Sequence, residues 1–207
     1  MLNHFLSAFI TLFVVLDPPG CAPIYAGLTA GATSAQRRTM AIRACLIAGL
    51  ILLFFALFGE NLLGALHIEL DSFRIAGGLM LFLIALDMVF EKRTKRREQR
   101  AEQVRATPEV EDVSVFPMAM PMLAGPGAIA SIMLLEGGAK CLAGSLAVLA
   151  ALAVVMILTL LALLAAGPLM KLVGAGVEAV VTRLLGVLLA ALAAQYVIDG
   201  LRSSFAI

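Results

Sequence analysis

Residues 142–166 pass without one charged side chain. A run of that length either crosses a bilayer, which takes about 20 mainly apolar residues, or fills the centre of a large core. Composition decides between the two. The chain is 62% hydrophobic and 14% charged, with a mean hydropathy of +1.04, whereas soluble domains carry about 25% charged residues. Similar runs recur at 2–29, 40–59, 73–90, 115–135 and 180–197. They are continuous and not alternating, which excludes a β-barrel. The expectation is an all-α integral membrane fold of six transmembrane helices, with the lipid bilayer as its first partner.

Two of the runs are interrupted. Asp17-Pro18-Pro19-Gly20, with Pro23 close behind, falls inside the first, and Pro121-Met122-Leu123-Ala124-Gly125-Pro126-Gly127 falls inside the fourth. Proline lacks an N–H and clashes with the carbonyl four residues before it, so a first half-helix should end near Leu16. Asp is a favoured N-cap and Pro a favoured first helical residue, so a second half-helix should start at once. Both breaks sit near the middle of their runs, which places them near the bilayer midplane.

The segment 91–114 differs from everything around it. Lys92, Arg93, Lys95, Arg96, Arg97, Arg100 and Arg105 mix with acidic residues and no aromatics. It reads as a solvated linker between a first unit, 1–90, and a second, 115–207, and not as a nucleic-acid patch. With the N-terminus outside, twelve Lys and Arg fall on the cytoplasmic side and three outside, so both termini are expected outside. The N-terminal run lacks a basic start and holds an Asp and two prolines, so it is taken as a span and not a cleaved signal.

The two units match at three landmarks. Pro19-Gly20 aligns with Pro126-Gly127, Gly59 with Gly167, and Arg74-x-x-Gly77 with Arg183-x-x-Gly186, at offsets of 107, 108 and 109. Each unit has three spans, so the second must enter from the opposite side. Two inverted three-helix repeats with helices 1 and 4 broken near midmembrane are the architecture of secondary transporters, whose sites lie at such breaks.

Each break presents free carbonyls on one half-helix and free N–H groups on the next. The N–H ends suit a carboxylate, and the carbonyls with Asp17 suit an ammonium group or a cation. A small zwitterion fits both. Gly20, Gly125 and Gly127 would admit it close to the backbone, and the absence of large polar or aromatic side chains keeps the site small. The expected substrate-binding set is therefore Asp17, Pro18, Pro19, Gly20, Pro23, Pro121, Gly125, Pro126 and Gly127. Asp17 stands out, since a carboxylate at midspan costs about 2.5–3.5 kcal/mol on insertion scales. It can also serve as a helix cap, and the two roles can coexist.

Other residues read as structural. Gly77-Gly78 and Gly186 should let helices approach closely, and Gln195 and Tyr196 should join helices. Met118, Met120 and Met122 suggest a packing face. Cys21, Cys45 and Cys141 read as small buried hydrophobes. Arg74, Arg183, Asp87 and Asp199 read as interfacial anchors or caps. Glu136 and Lys140 are expected in a solvated outer loop. His4 and His67 stand alone, so no metal or other cofactor is expected.

The stretches Asp17 to Pro23 and Phe116 to Ile129 resemble the paired signatures of the MarC family, prokaryotic inner-membrane proteins of six spans. The Arg74 to Gly78 start of the third run is similar too, and the likeness covers nearly the whole chain. The resemblance implies kinship with a transporter of small neutral amino acids, in which glycine- or alanine-sized substrates bind at the broken first and fourth helices. It implies a bacterial inner-membrane location. The first reading is a secondary transporter driven by a proton or sodium gradient, with a homo-oligomer left open. The matched site positions are the nine named above; Cys21 and Ala22 are this chain's own choice between Gly20 and Pro23. A non-transporting membrane scaffold is the alternative. A membrane-embedded enzyme is disfavoured, since neither G-x-S-x-G nor H-E-x-x-H occurs.

Overall fold

A computed structural model describes residues 2–90, 112–139 and 141–205, and for 167–179 the backbone alone. The basic linker residues Lys92 to Arg105 and Lys140 lie outside the described residues. Among the described residues there are seven α-helices: α1 (Leu2–Leu16), α2 (Pro18–Leu28), α3 (Ser34–Ala65), α4 (Leu70–Val89), α5 (Pro126–Gly137), α6 (Leu142–Leu164) and α7 (Ala166–Phe205). An irregular segment, Ser114–Leu123, precedes α5. No strand occurs among the described residues. Among the described residues five helical stretches are long and apolar enough to cross a membrane, and six if the bent pair Ser114–Leu123 and Pro126–Gly137 is one span.

Local chemistry sets the boundaries. α3 starts on a capping box: Gln36 N–H donates to Thr33 Oγ1 at 3.3 Å, and Thr33 N–H donates to Gln36 Oε1 at 2.9 Å. It ends six residues beyond Gly59, where a stop was expected. One glycine inside a helix costs only about 1 kcal/mol and does not end it. The stop comes at His67, left-handed at φ 56°, where Ile68 N–H reaches Leu63 O and His67 N–H reaches Gly64 O. This is a Schellman motif with His in the place glycine usually takes. Gly59 instead lets α5 approach, since a Cβ there would lie 2.7 Å from Met133 Cγ. Gly167, its expected counterpart, lies in the first turn of α7 and not at the end of a span.

The most extensive helix contact joins α4 and α7. A Cβ on Gly78 would lie 2.9 Å from Ala193 O, one on Gly186 3.2 Å from Ala85 O, and one on Gly200 2.9 Å from Asp71 O. The partners are thus 71 with 200, 78 with 193, and 85 with 186: an antiparallel pair with small residues every seven positions. Backbone meets backbone along this seam, as small residues permit in membranes. Gly77 faces the other way, with Leu134 Cδ1 of α5 at 2.9 Å from its would-be Cβ. The glycine pair therefore seats α4 between α5 and α7.

Most interhelix contacts cross between the N-terminal and C-terminal units. α1 packs on α5 and α6, α2 on α6 and α7, α3 on α5, α6 and the irregular segment, and α4 on α5 and α7. α1 and α2 together form a well-enclosed span, more buried than those of α3, α4, α6 and the C-terminal part of α7. The outer helices turn Leu50, Phe54 and Phe58 of α3, Leu79 and Leu83 of α4, and Leu184 and Leu188 of α7 outward, which suits lipid.

Arg43 of α3 pairs with Asp112 at 3.0 Å, and Asp112 accepts from Ser114 N–H at 2.9 Å and from its hydroxyl at 2.5 Å. The Ser114 hydroxyl, with help from Arg43, holds the Asp112 carboxyl below its ordinary range. Two outcomes are expected in thermal unfolding of detergent-purified protein. Gly200→Ala should lower stability by about 1–3 kcal/mol, whereas Gly64→Ala, whose Cβ would meet nothing within 4 Å, should be neutral or stabilising. Asp112→Asn should cost up to about 1 kcal/mol at neutral pH, since the pair is half exposed. A carboxyl with a depressed folded pKa stabilises fully above its unfolded pKa of about 3.9 and loses that contribution as pH falls through the folded value. The gap between Asp112→Asn and wild type should therefore close below about pH 4.

Candidate site at the Asp17 and Gly125-Pro126-Gly127 motifs

Asp17 is the one residue between α1 and α2, left-handed at φ 56° and ψ 63°. That region costs an L-residue about 1–2 kcal/mol, and Asp is among the few that tolerate it, because its short side chain bonds locally. Here Asp17 Oδ1 accepts from Gly20 N–H at 3.1 Å. Its backbone keeps the ladder going on both sides: Asp17 N–H reaches Phe13 O and Cys21 N–H reaches Asp17 O, both at 3.0 Å. Asp17 is thus the N-cap of α2, with Pro18 and Pro19 in the first turn, where missing N–H groups cost nothing. The carboxylate is 1% exposed, and it meets the positive end of α2.

Gly20 is required by this geometry. A Cβ there would lie 2.2 Å from Asp17 Oδ2, so any side chain would displace the carboxylate. Pro18 is buried, while Pro19 and Pro23 are partly exposed. Cys21 donates its thiol to Leu16 O at 3.4 Å, which satisfies a carbonyl at the end of α1.

The second motif is built differently. Ser114–Leu123 makes wide turns, with Met118 N–H reaching Val113 O and Ala124 N–H reaching Ala119 O. Phe116 and Met120 are extended, and each precedes a cis-proline, Pro117 and Pro121. The segment meets α5 at 52°. Gly125 stands before Pro126, the first residue of α5. A Cβ on Gly125 would lie 2.4 Å from Pro121 O, and one on Gly127 2.2 Å from Ile84 Cδ1 of α4. Gly125 and Gly127 are buried, Pro121 is partly exposed and Pro126 is exposed. Ser131 returns its hydroxyl to Gly127 O at 2.8 Å.

The two motifs therefore lie on elements in contact, α1 with α5. At Gly20, Gly125 and Gly127 the space a side chain would take holds protein atoms: a carboxylate, a carbonyl and an isoleucine. Two cavities open elsewhere. One of about 350 Å³ is lined by Tyr25, Ser34, Arg37 and Arg38 on one side and by Leu163 and Leu164 on the other. One of about 250 Å³ is lined by Glu60, Asn61, Glu136 and Ser145.

Several expectations for neighbouring residues change. Glu136 is not in a loop but in the last turn of α5, and its buried Oε1 has no hydrogen-bond partner among the described residues. Gln195 does not join helices; it donates to Asp199 on its own helix at 2.7 Å. Met118 and Met122 are buried but Met120 is 46% exposed, because the wide turns do not keep helical spacing. Cys21 and Cys45 are buried and Cys141 is exposed. Arg74 pairs with Asp71 at 2.7 Å, one turn away. The Arg43–Asp112–Ser114 cluster was not anticipated, although Asp-x-Ser is a common local cap and could have signalled it. Among the described residues no group of three or more His, Cys, Asp or Glu gathers as a metal site.

Comparison with known proteins extends these observations. A family model described as MarC family integral membrane protein matches residues 2–205. UPF0056 membrane protein MJ1677 of Methanocaldococcus jannaschii is 34% identical over 203 residues, covering 98% of this chain and 98% of its own. UPF0056 membrane protein YvbG of Bacillus subtilis is 32% identical over 205 residues, covering 99% and 97%. UPF0056 inner membrane protein YhgN of Escherichia coli K12 is 31% identical over 202 residues, covering 97% and 98%. No solved structure matches. A match across nearly the whole chain, reaching relatives in both archaea and bacteria, leaves one conclusion: the chain belongs to the MarC family of integral membrane proteins.

Proposed function

We propose that the protein is a secondary transporter of a small neutral amino acid or a similar small metabolite. The substrate binds where the first and fourth spans break, and movement is coupled to a proton or sodium ion. The observation that carries this reading is Asp17, a carboxylate 1% exposed at a left-handed residue inside a well-enclosed apolar span. Ionisable groups at such positions mark ion and substrate pathways by default. Helix packing adds support. Exchanging spans 1, 2 and 3 with 4, 5 and 6 largely maps the pattern of interhelix contacts onto itself, and the third and sixth spans run antiparallel. Two inverted repeats would have that property. The E. coli relative is named an inner membrane protein, and we place this chain in the same kind of membrane with both termini outside.

A scaffold without transport is the second reading. It is favoured by the filled space at Gly20, Gly125 and Gly127, which suits tight packing as well as a closed site.

Asp17→Asn separates charge from structure, because Asn caps helices and tolerates left-handed backbone nearly as Asp does. It should unfold within about 1 kcal/mol of wild type yet abolish gradient-driven amino acid movement into vesicles. Wild-type vesicles that move no small amino acid in either direction would sink the transporter reading. Gly20→Ala and Gly127→Ala should each cost about 1–3 kcal/mol. On the transporter reading they also raise the substrate concentration needed for thermal stabilisation; on the scaffold reading no amino acid stabilises the protein at all.

A further inference from the structure

We propose that the 350 Å³ cavity between the α2–α3 turn and the α6–α7 joint binds a phosphate-bearing anion, and that its occupant is the headgroup of an anionic membrane lipid. The volume falls within the range of about 300–1,000 Å³ typical of small-molecule pockets. Its lining is divided by chemistry. Ser34, Arg37 and Arg38 of α3 and Tyr25 of α2 supply the polar side, and Leu163 and Leu164 of α6 the apolar side; among the described residues no carboxylate lines it.

Part of the polar side, Arg37 with Tyr25, is held in place before any ligand arrives. Arg37 donates from Nε to Ala32 O at 3.1 Å and from Nη2 to Ala30 O at 3.0 Å. Its carbonyl accepts from the Tyr25 hydroxyl, which ties α3 back to α2. A guanidinium fixed in this way loses little freedom on binding, which favours affinity. The capping box already takes the N–H groups of Thr33 and Gln36, and the charge at the site comes from the arginine side chains. Asp112 is engaged by Arg43 and Ser114.

A phosphate bridged by Arg38 and the Ser34 hydroxyl would satisfy the charge. The apolar wall, with Leu164 exposed, fits the start of an acyl chain and is wasted on a free anion. Basic pockets between membrane helices hold anionic headgroups on the same principle. The proposal is independent of what the first and fourth spans carry, since it uses none of the nine motif positions.

The test is thermal unfolding of the full chain in a neutral detergent. Wild type, Arg38→Ala and Arg202→Ala are each titrated with a short-chain anionic phosphodiester lipid, its zwitterionic phosphocholine counterpart and inorganic phosphate. Arg38 and Arg202 are both exposed, so neither change disturbs the core. The anionic lipid should raise the wild-type midpoint well above the other two ligands. Its half-effective concentration should rise about fivefold in Arg38→Ala and stay unchanged in Arg202→Ala. Full stabilisation by inorganic phosphate alone overturns the lipid assignment. Equal responses to both lipids, no change in Arg38→Ala, or an equal loss in Arg202→Ala overturns the site.

Discussion

Backbone contact between α4 and α7 is the interaction on which the rest of the molecule leans. Lipid tails are as apolar as leucine, so no hydrophobic force draws membrane helices together, and close packing has to do it. The seam does so with Gly78, Gly186, Ala193 and Gly200 at seven-residue intervals. Because α4 belongs to the N-terminal unit and α7 to the C-terminal one, this contact also binds the units to each other. The remaining helices follow suit and pack mainly across the division. The 1–90 and 115–207 units are sequence neighbourhoods whose helices find most of their partners in the other unit.

Inside that frame the first span can hold a carboxylate that lipid would reject. Asp17 is enclosed by α1 and α2, themselves surrounded by α5, α6 and α7. Its left-handed backbone, its bond to Gly20 N–H and the proline at the start of α2 form one unit, in which each part requires the others. Gly20 leaves room for the carboxylate, the carboxylate caps α2, and the prolines accept a position with no N–H to satisfy. A local cap and a functional acid are therefore compatible at this residue. The second motif lacks an acid and bends more sharply, so the two breaks differ in form as well as in charge.

Much of this was legible in the residues. Uninterrupted apolar runs identify spans because the bilayer imposes a fixed length, and Asp-Pro identifies a half-helix start because capping chemistry is local. Gly77-Gly78 and Gly186 signalled close approach. At Gly59 the deciding partner lay far away in sequence, whereas at Gln195 it lay one turn away. Gly59 looked like a helix end but accommodates Met133 of α5. Glu136 looked like a loop residue but extends α5 beside α6. Gln195 looked like glue between helices but is taken up by Asp199 on its own helix.

By itself the sequence determined the class of protein, its long apolar stretches and the helix start at Pro18 after Asp17, because these depend on solvent and on neighbours within four residues. Only the tertiary structure decided that the motif glycines are filled by a carboxylate, a carbonyl and an isoleucine, that Arg43 meets Asp112, and that Tyr25 and Arg37 line one cavity. Those outcomes depend on which helices touch and at what register, and a side chain's periodicity carries no record of the surface it will face.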